Sequence, residues 1–327
     1  MSGQPAVPLD RILARAGCRA VARVVLIGPD AARQEWDWGS VAGRAWWLAD
    51  GRLRIGEEIW TVGRVEAVEP EMLDRVEAEI TDLAPTTAAA LGLPAPAQSR
   101  GRALPVPPAG HVLIVLLDGL GYLRYQEARA AGLTPCLAAL GEPRLGLTVY
   151  PSITTVATAA LLTGAPPAVN GVDRSGVRST EVETVLDVVS KAGRRAVAVE
   201  GDSLPFNLRG AEVRLSGDGD GNGHTDDNVL ENALAVLEKG MPDLFYIHFH
   251  GIDDAGHAFG PGSPEQDARI AAVDQAVGAL LDALPSDVLL VVLADHGMHP
   301  VQGNGRLGNH GTLSALDMFI PVWIVSP

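Results

Sequence analysis

Cysteine is nearly absent: Cys18 and Cys136 are the only two in 327 residues. Two thiols so far apart make no disulfide framework, and a reducing compartment is the simpler expectation. Lysine is equally scarce, with Lys191 and Lys239 alone, and the net charge is -15. A nucleic-acid-binding surface needs clustered basic residues, so that class of partner is not expected. Acidity does not exclude phosphate chemistry, because bound cations reverse the local field. No apolar run approaches the roughly 20 residues that span a bilayer. The opening Met-Ser-Gly-Gln-Pro-Ala-Val-Pro also lacks the basic and apolar regions of a signal peptide. These absences predict a cytoplasmic protein with neither a membrane nor a nucleic-acid partner.

What is present divides in two. Residues 1–90 hold five of the six tryptophans, Trp36, Trp38, Trp46, Trp47 and Trp60, and no chemical motif. Val21–Gly28 has strand composition, Arg44–Ile55 resembles a hairpin about Asp50-Gly51, and Glu71–Leu83 has helical spacing. This part is expected to be a small α+β accessory domain, its tryptophans forming a core and an aromatic surface patch. Residues 91–110 are rich in Pro, Gly and Ala, which predicts a linker and domain boundary. From His111 to residue 327, apolar strands alternate with helices. That alternation predicts an α/β domain with a mostly parallel sheet sandwiched by helices.

The chemistry gathers at the ends of those strands. His111–Leu117 reads as a strand buried on both faces, and it delivers Asp118 before Gly119 and Gly121. The strand Asp243–His250 delivers Asp253 and His257, and the strand Asp287–Ala294 delivers Asp295 and His296. A later loop carries His310. Any one Asp or His beside Gly is an ordinary turn residue or cap, but four such clusters in succession favour a metal site at the carboxyl edge of an open sheet. Aspartate with imidazole suits zinc or a similar transition metal, whereas magnesium prefers oxygen alone. Tyr150–Thr158 crowds hydroxyls at a strand-to-helix junction, where unpaired N–H groups suit an anionic phosphate. Ser152, Thr154 and Thr155 are candidates both for capping that helix and for reacting. His248 and His250 share one face of their strand and are expected beside the ligands rather than among them. Asp218-Gly-Asp-Gly-Asn-Gly223 begins like a calcium loop but lacks the late glutamate, so a polar loop is expected.

Asp118-Gly, Pro151-Ser-Ile-Thr154 leading to Thr163-Gly164, Asp253-Asp-Ala-Gly-His257, Asp295-His296-Gly-Met298 and His310-Gly311 follow one another in an order that resembles the alkaline phosphatase superfamily. The resemblance is to its type I phosphodiesterase/nucleotide pyrophosphatase branch, over residues 111–327. It implies a hydrolase of phosphoric esters, a small-molecule phosphoester substrate and two divalent metal ions, zinc first, with manganese or iron as alternatives. One ion would be held by Asp118, Thr154, Asp295 and His296, the other by Asp253, His257 and His310. Thr154, ten residues before Gly164, would be the nucleophile that is transiently phosphorylated, with Thr155 the competing choice. Two departures stand out. Val156-Ala157 replaces the family's Pro-Asn, and the phosphate-gripping asparagine falls at Ser175, with Arg174 as a replacement clamp. The stretch between His296 and His310 is short, which leaves little room for a nucleotide-binding insertion. Phosphomonoesterase, phosphonate hydrolase and phosphomutase activities on the same scaffold stay open, as does a non-catalytic metal- or partner-binding role.

Overall fold

A computed structural model describes residues 75–219, 221–301 and 305–326 in full, and before them the backbone of seven strands. The chain divides into two compact units, residues 1–75 with 312–315 and residues 76–311 with 316–327.

In the first unit, β1 (Ala6–Pro8), β4 (Ala45–Leu48), β5 (Arg52–Ile55) and β6 (Glu58–Thr61) form one antiparallel sheet. A second joins β3 (Arg33–Asp37), β2 (Arg23–Ile27) and β7 (Arg64–Val68), also antiparallel. The β4–β5 pairing sets Trp47 opposite Leu53, the register of a hairpin about Asp50-Gly51. The expected tryptophan core and patch concern side chains that lie outside the described residues, as do Cys18, Trp38 and the turn itself.

The second unit is built on an eight-stranded sheet in the order β12 (Glu212–Leu215), β11 (Ala196–Glu200), β13 (Leu244–Phe249), β9 (His111–Leu117), β14 (Val288–Leu293), β17 (Phe319–Val325), β10 (Arg144–Leu147), β8 (Ala78–Glu79). All run parallel except β17, which is antiparallel to both neighbours. Residues 112–117 of β9 are at most 1% exposed. A strand covered on both faces needs the unbroken apolar run seen in its sequence. A short antiparallel pair, β15 (His299–Pro300) with β16 (Gly308–Asn309), lies apart from this sheet. Among the described residues no helix is long and apolar enough to cross a membrane.

The helices that matter for the site are α1 (Leu83–Ala90), α2 (Tyr122–Ala130), α3 (Pro135–Ala139), α4 (Thr154–Thr163), α5 (Pro167–Asn170), α6 (Val185–Lys191), α7 (Asp226–Leu237), α8 (Gly251–Phe259) and α9 (Pro264–Ala283). Of the helix expected over Glu71–Leu83, residues 71–74 lie outside the described residues, and from Arg75 onward the α-helix begins only at Leu83. A capping box in which Glu79 N–H donates to Asp82 (3.0 Å) closes a turn at Ile80–Asp82 first. Segment 91–110, expected to be a linker, is packed into the second unit. Arg100 N and Gly101 N donate to the Gly164 carbonyl at 2.7 and 3.0 Å, and Leu104 N donates to Thr86 Oγ1 at 2.9 Å. Leu91 and Leu104 are buried. The prolines and glycines there punctuate a fixed path rather than loosening it. The Asp218 loop is closed on itself, its carboxylate accepting from Asn222 N and Gly223 N.

Buried carboxylates fasten helix starts across the fold. Asp274 of α9, fully buried, accepts from Cys136 N (2.9 Å) and Leu137 N (2.8 Å) at the start of α3. Its removal strands two buried N–H groups, so Asp274→Ala is expected to lower unfolding stability by about 1–3 kcal/mol. Urea denaturation checks this, with an unchanged slope showing that the fold itself persists.

Candidate metal centre

Strand register brings the predicted residues together. Phe249 lies opposite Leu117, and Leu293 lies opposite Leu116, so β13, β9 and β14 end side by side. Asp118 N–H continues the pairing to the Phe249 carbonyl at 3.0 Å. Asp295 and His296 leave β14 at the same edge. Gly119 has φ +74°, and a Cβ there would meet the Asp253 carboxylate at 2.9 Å. Glycine therefore serves both the turn and the close approach of two carboxylates. Asp253 and His257 stand one helical turn apart on α8, with His257 Nε2 3.1 Å from Asp253 Oδ2. The start of α8 is fixed by buried Asp226 of α7, which accepts from His250 N and Gly251 N.

The three histidines that were predicted as ligands share one device. His296 Nδ1 lies 3.0 Å from the Gly297 carbonyl, His257 Nδ1 2.8 Å from the Gly308 carbonyl, and His310 Nδ1 3.0 Å from the Ser152 carbonyl. A carbonyl only accepts, so each Nδ1 carries a proton, and in the neutral ring Nε2 is the nitrogen left with a lone pair. This is the arrangement that orients metal-binding imidazoles. His257 Nε2 and His310 Nε2 face each other at 3.1 Å beside Asp253, which only a proton or a cation between them makes favourable. His296 Nε2 lies 3.4 Å from Asp118 Oδ1 and 3.3 Å from Asp295 Oδ2.

The carboxylates make the same demand. Asp118 Oδ1, Asp253 Oδ1 and Asp295 Oδ2 are buried and accept no hydrogen bond. An uncompensated buried carboxylate costs several kcal/mol. Burial and the charge of Asp118 push the Asp295 carboxyl up to about 7. Burial opposes charge on His296, yet Asp295 and Asp118 raise it to about 9. Burial and neighbouring His296 bring His310 down to about 4, leaving it neutral as a ligand must be. Asp253, His257 and His310 place one ligand atom each within 4.8 Å of one another, and so do Asp118, Asp253 and His296. Carboxylate with imidazole is a donor set suited to divalent metal ions.

Thr154 opens α4, and its Oγ1 lies 3.2 Å from His296 Nε2. When His296 Nε2 carries no proton, as binding a cation there requires, the hydroxyl is the donor. Thr155 is turned inward, 4% exposed, and Ser152 is fully buried. Thr154 thus joins the predicted ligands in one crevice. Arg174 and Ser175 do not: they sit on the exposed loop after α5, where Arg174 pairs with Asp173 at 2.7 Å. Among the described residues, neither takes part in the hydrogen bonds around Thr154 and His296. Asn170 fastens that turn, donating to the Ala165 carbonyl at 2.7 Å. Glu200 is the residue that pattern reading missed. It ends β11, is fully buried, and lies against His248 and His250. A lone glutamate closing an apolar strand was the only signal.

Residues 183–316 match the family of type I phosphodiesterases and nucleotide pyrophosphatases. Over 182 residues, 54% of this chain, the sequence is 32% identical to the catalytic subunit of GPI ethanolamine phosphate transferase 3 of Mus musculus, covering 16% of that protein. Over 255 residues, 71% of this chain, it is 26% identical to the catalytic subunit of GPI ethanolamine phosphate transferase 2 of Homo sapiens, covering 25% of it. The chain therefore matches a quarter or less of these relatives. Among solved structures, murine ectonucleotide pyrophosphatase/phosphodiesterase 5 superposes with a TM-score of 0.54 at 15% identity, over 66% of this chain and 88% of that one. Phosphonoacetate hydrolase of Sinorhizobium meliloti 1021 superposes with a TM-score of 0.50 at 22% identity, over 62% and 59%. These likenesses agree with the α/β sheet described above.

Zinc or manganese is expected to raise the unfolding temperature of metal-free protein, since a ligand of the native state stabilises it. Calorimetric titration should give two ions per chain. Asp253→Asn, which weakens a residue common to both ligand groups, should reduce affinity by more than about tenfold, the scale of losing even an outer partner. No saturable binding by the wild type would contradict the assignment.

Proposed function

We propose that this chain, which matches the type I phosphodiesterase/nucleotide pyrophosphatase family over residues 183–316, belongs with the alkaline phosphatase superfamily and cleaves phosphoesters with Thr154 as nucleophile in a site holding two divalent metal ions. The observation that carries the reading is Thr154 Oγ1 standing 3.2 Å from His296 Nε2, beside three aspartates that each keep one buried oxygen without a hydrogen bond. Asp118, Asp295 and His296 with Thr154 would hold one ion, and Asp253, His257 and His310 the other. Such ions supply Lewis acidity to a phosphoryl group and to the attacking and leaving oxygens.

The protein's own groups do the rest. Thr154 sits at the first turn of α4, where N–H groups without helical partners and the positive end of the helix dipole face an incoming phosphate. Its position on a rigid helix fixes the line of attack, which is worth more than intrinsic reactivity for a neutral hydroxyl. Oγ1 gives up its proton and forms the new P–O bond as the ester P–O bond breaks, and the departing oxygen takes up a proton to leave as the alcohol, so that the threonine carries the phosphoryl group. A second acceptor then takes the phosphoryl group. Water as acceptor makes the enzyme a hydrolase.

A second reading is favoured by the relatives that are GPI ethanolamine phosphate transferases. In it, an alcohol replaces water as acceptor and the chain transfers a phosphoryl-linked group. Both readings share the first half of the reaction and differ only in what reaches phospho-Thr154.

The test uses bis-p-nitrophenyl phosphate and p-nitrophenyl phosphate with added zinc or manganese, then with a chelator. Turnover should need metal, and Thr154→Ala should lose at least about 10³-fold in rate, on the scale of other lost nucleophiles. Thr155→Ala should stay within about tenfold of wild type. Equal activity of Thr154→Ala and wild type would overturn the assignment. The ratio of the two activities separates diesterase from monoesterase, and competition by added ethanolamine or glycerol separates transfer from hydrolysis.

A further inference from the structure

We propose that Glu200, His248 and His250 are positioning residues that aim one oxygen of Asp118 at the metal crevice, an inference resting on the reading of Asp118 as a metal ligand. The four side chains form a closed cycle. Glu200 Oε2 lies 3.0 Å from His248 Nδ1 and 2.9 Å from His250 Nε2. On the far side of both rings, Asp118 Oδ2 lies 3.2 Å from His248 Nε2 and 3.4 Å from His250 Nδ1. The two imidazoles lie between the carboxylates, tilted at 37° to each other with centroids 3.8 Å apart. Glu200 and His248 are fully buried.

The cycle follows from strand register. His248 lies on β13 and His250 follows one residue past its end, and both rings reach the same two carboxylates. Val199 pairs with Ile247, which places Glu200 beside His248 on the next rung. His248 itself lies opposite Leu116, just before Asp118. Gly201 lets the His250 ring lie close, since a Cβ there would stand 3.0 Å from its Cδ2.

Its consequence is a division of labour between the oxygens of Asp118. Oδ2 takes both imidazoles, while Oδ1 accepts no hydrogen bond and faces His296 at 3.4 Å. Neither ring can turn without breaking a contact to each carboxylate, so the Asp118 plane is locked with Oδ1 toward the crevice. All four ring nitrogens already face a carboxylate oxygen, which favours this role over a further ion between the same residues. Outer partners of this kind set ligand orientation and metal affinity.

The experiment compares metal-free wild type, Glu200→Gln and His250→Gln by zinc calorimetry and thermal unfolding. Glu200→Gln keeps the shape and removes the charge. It should weaken one of the two ions by about 10–100-fold and leave unchanged the ion that His257→Ala weakens. A general loosening of the fold would weaken both ions together and lower the unfolding temperature of the metal-free protein, and that result overturns the proposal. Equal affinities in wild type and Glu200→Gln overturn it too, while the metal reading of the crevice survives. A third ion lost in the variant would make these residues ligands and also overturn it. If Glu200→Gln does not fold, His250→Gln, altered at a partly exposed ring, carries the same expectation. Wild type binding no zinc would overturn the metal reading itself and the positioning role with it.

Discussion

Three aspartates converge at the carboxyl edge of the sheet with buried oxygens that accept no hydrogen bond, and much of the second unit is arranged around that repulsion. Like charges in a low-dielectric site interact far more strongly than in water. Their cost is visible in Asp295, pushed up to about 7 by burial and by Asp118. The same repulsion is what a bound cation would relieve. A fold that tolerates it must hold the carboxylates on elements stable enough to resist their separation.

That stability comes from the central strands. β9 and its neighbours β13 and β14 are almost wholly excluded from solvent, and their aligned ends leave Asp118, His250, Asp295 and His296 little freedom. The helix that carries Asp253 and His257 is fastened by another buried acid, Asp226 at the start of α8, just as Asp274 fastens the start of α3. Backbone carbonyls of Gly297, Gly308 and Ser152 choose the tautomer of three imidazoles. Asp118 is held from behind by an imidazole pair and Glu200. Each layer of contacts narrows the geometry of the layer inside it, which is what preorganised catalysis of phosphoryl transfer requires.

Much of this was legible in the chain. An apolar run ending in Asp-Gly marks a buried strand and a turn at once, whereas the helix that sets Asp253 and His257 one turn apart was not expected from their sequence. His310 could be proposed only because an ordered set of motifs preceded it. Other features depend on tertiary pairing that no local pattern reports. Segment 91–110 has the composition of a linker, yet Gly164 and Thr86 hold it in place through the backbone. Ser175 and Arg174 were chosen by position in a pattern, but their loop turns outward and Arg174 is engaged by Asp173. Glu200 was invisible because its meaning lies in the rung it shares with His248.

The most direct test is anomalous diffraction at the zinc edge from crystals grown with zinc. Two peaks are predicted, one among Asp118, Asp295, His296 and Thr154 Oγ1, the other among Asp253, His257 and His310. A crevice without anomalous density, or with a peak only between Glu200, His248 and His250, would contradict the account.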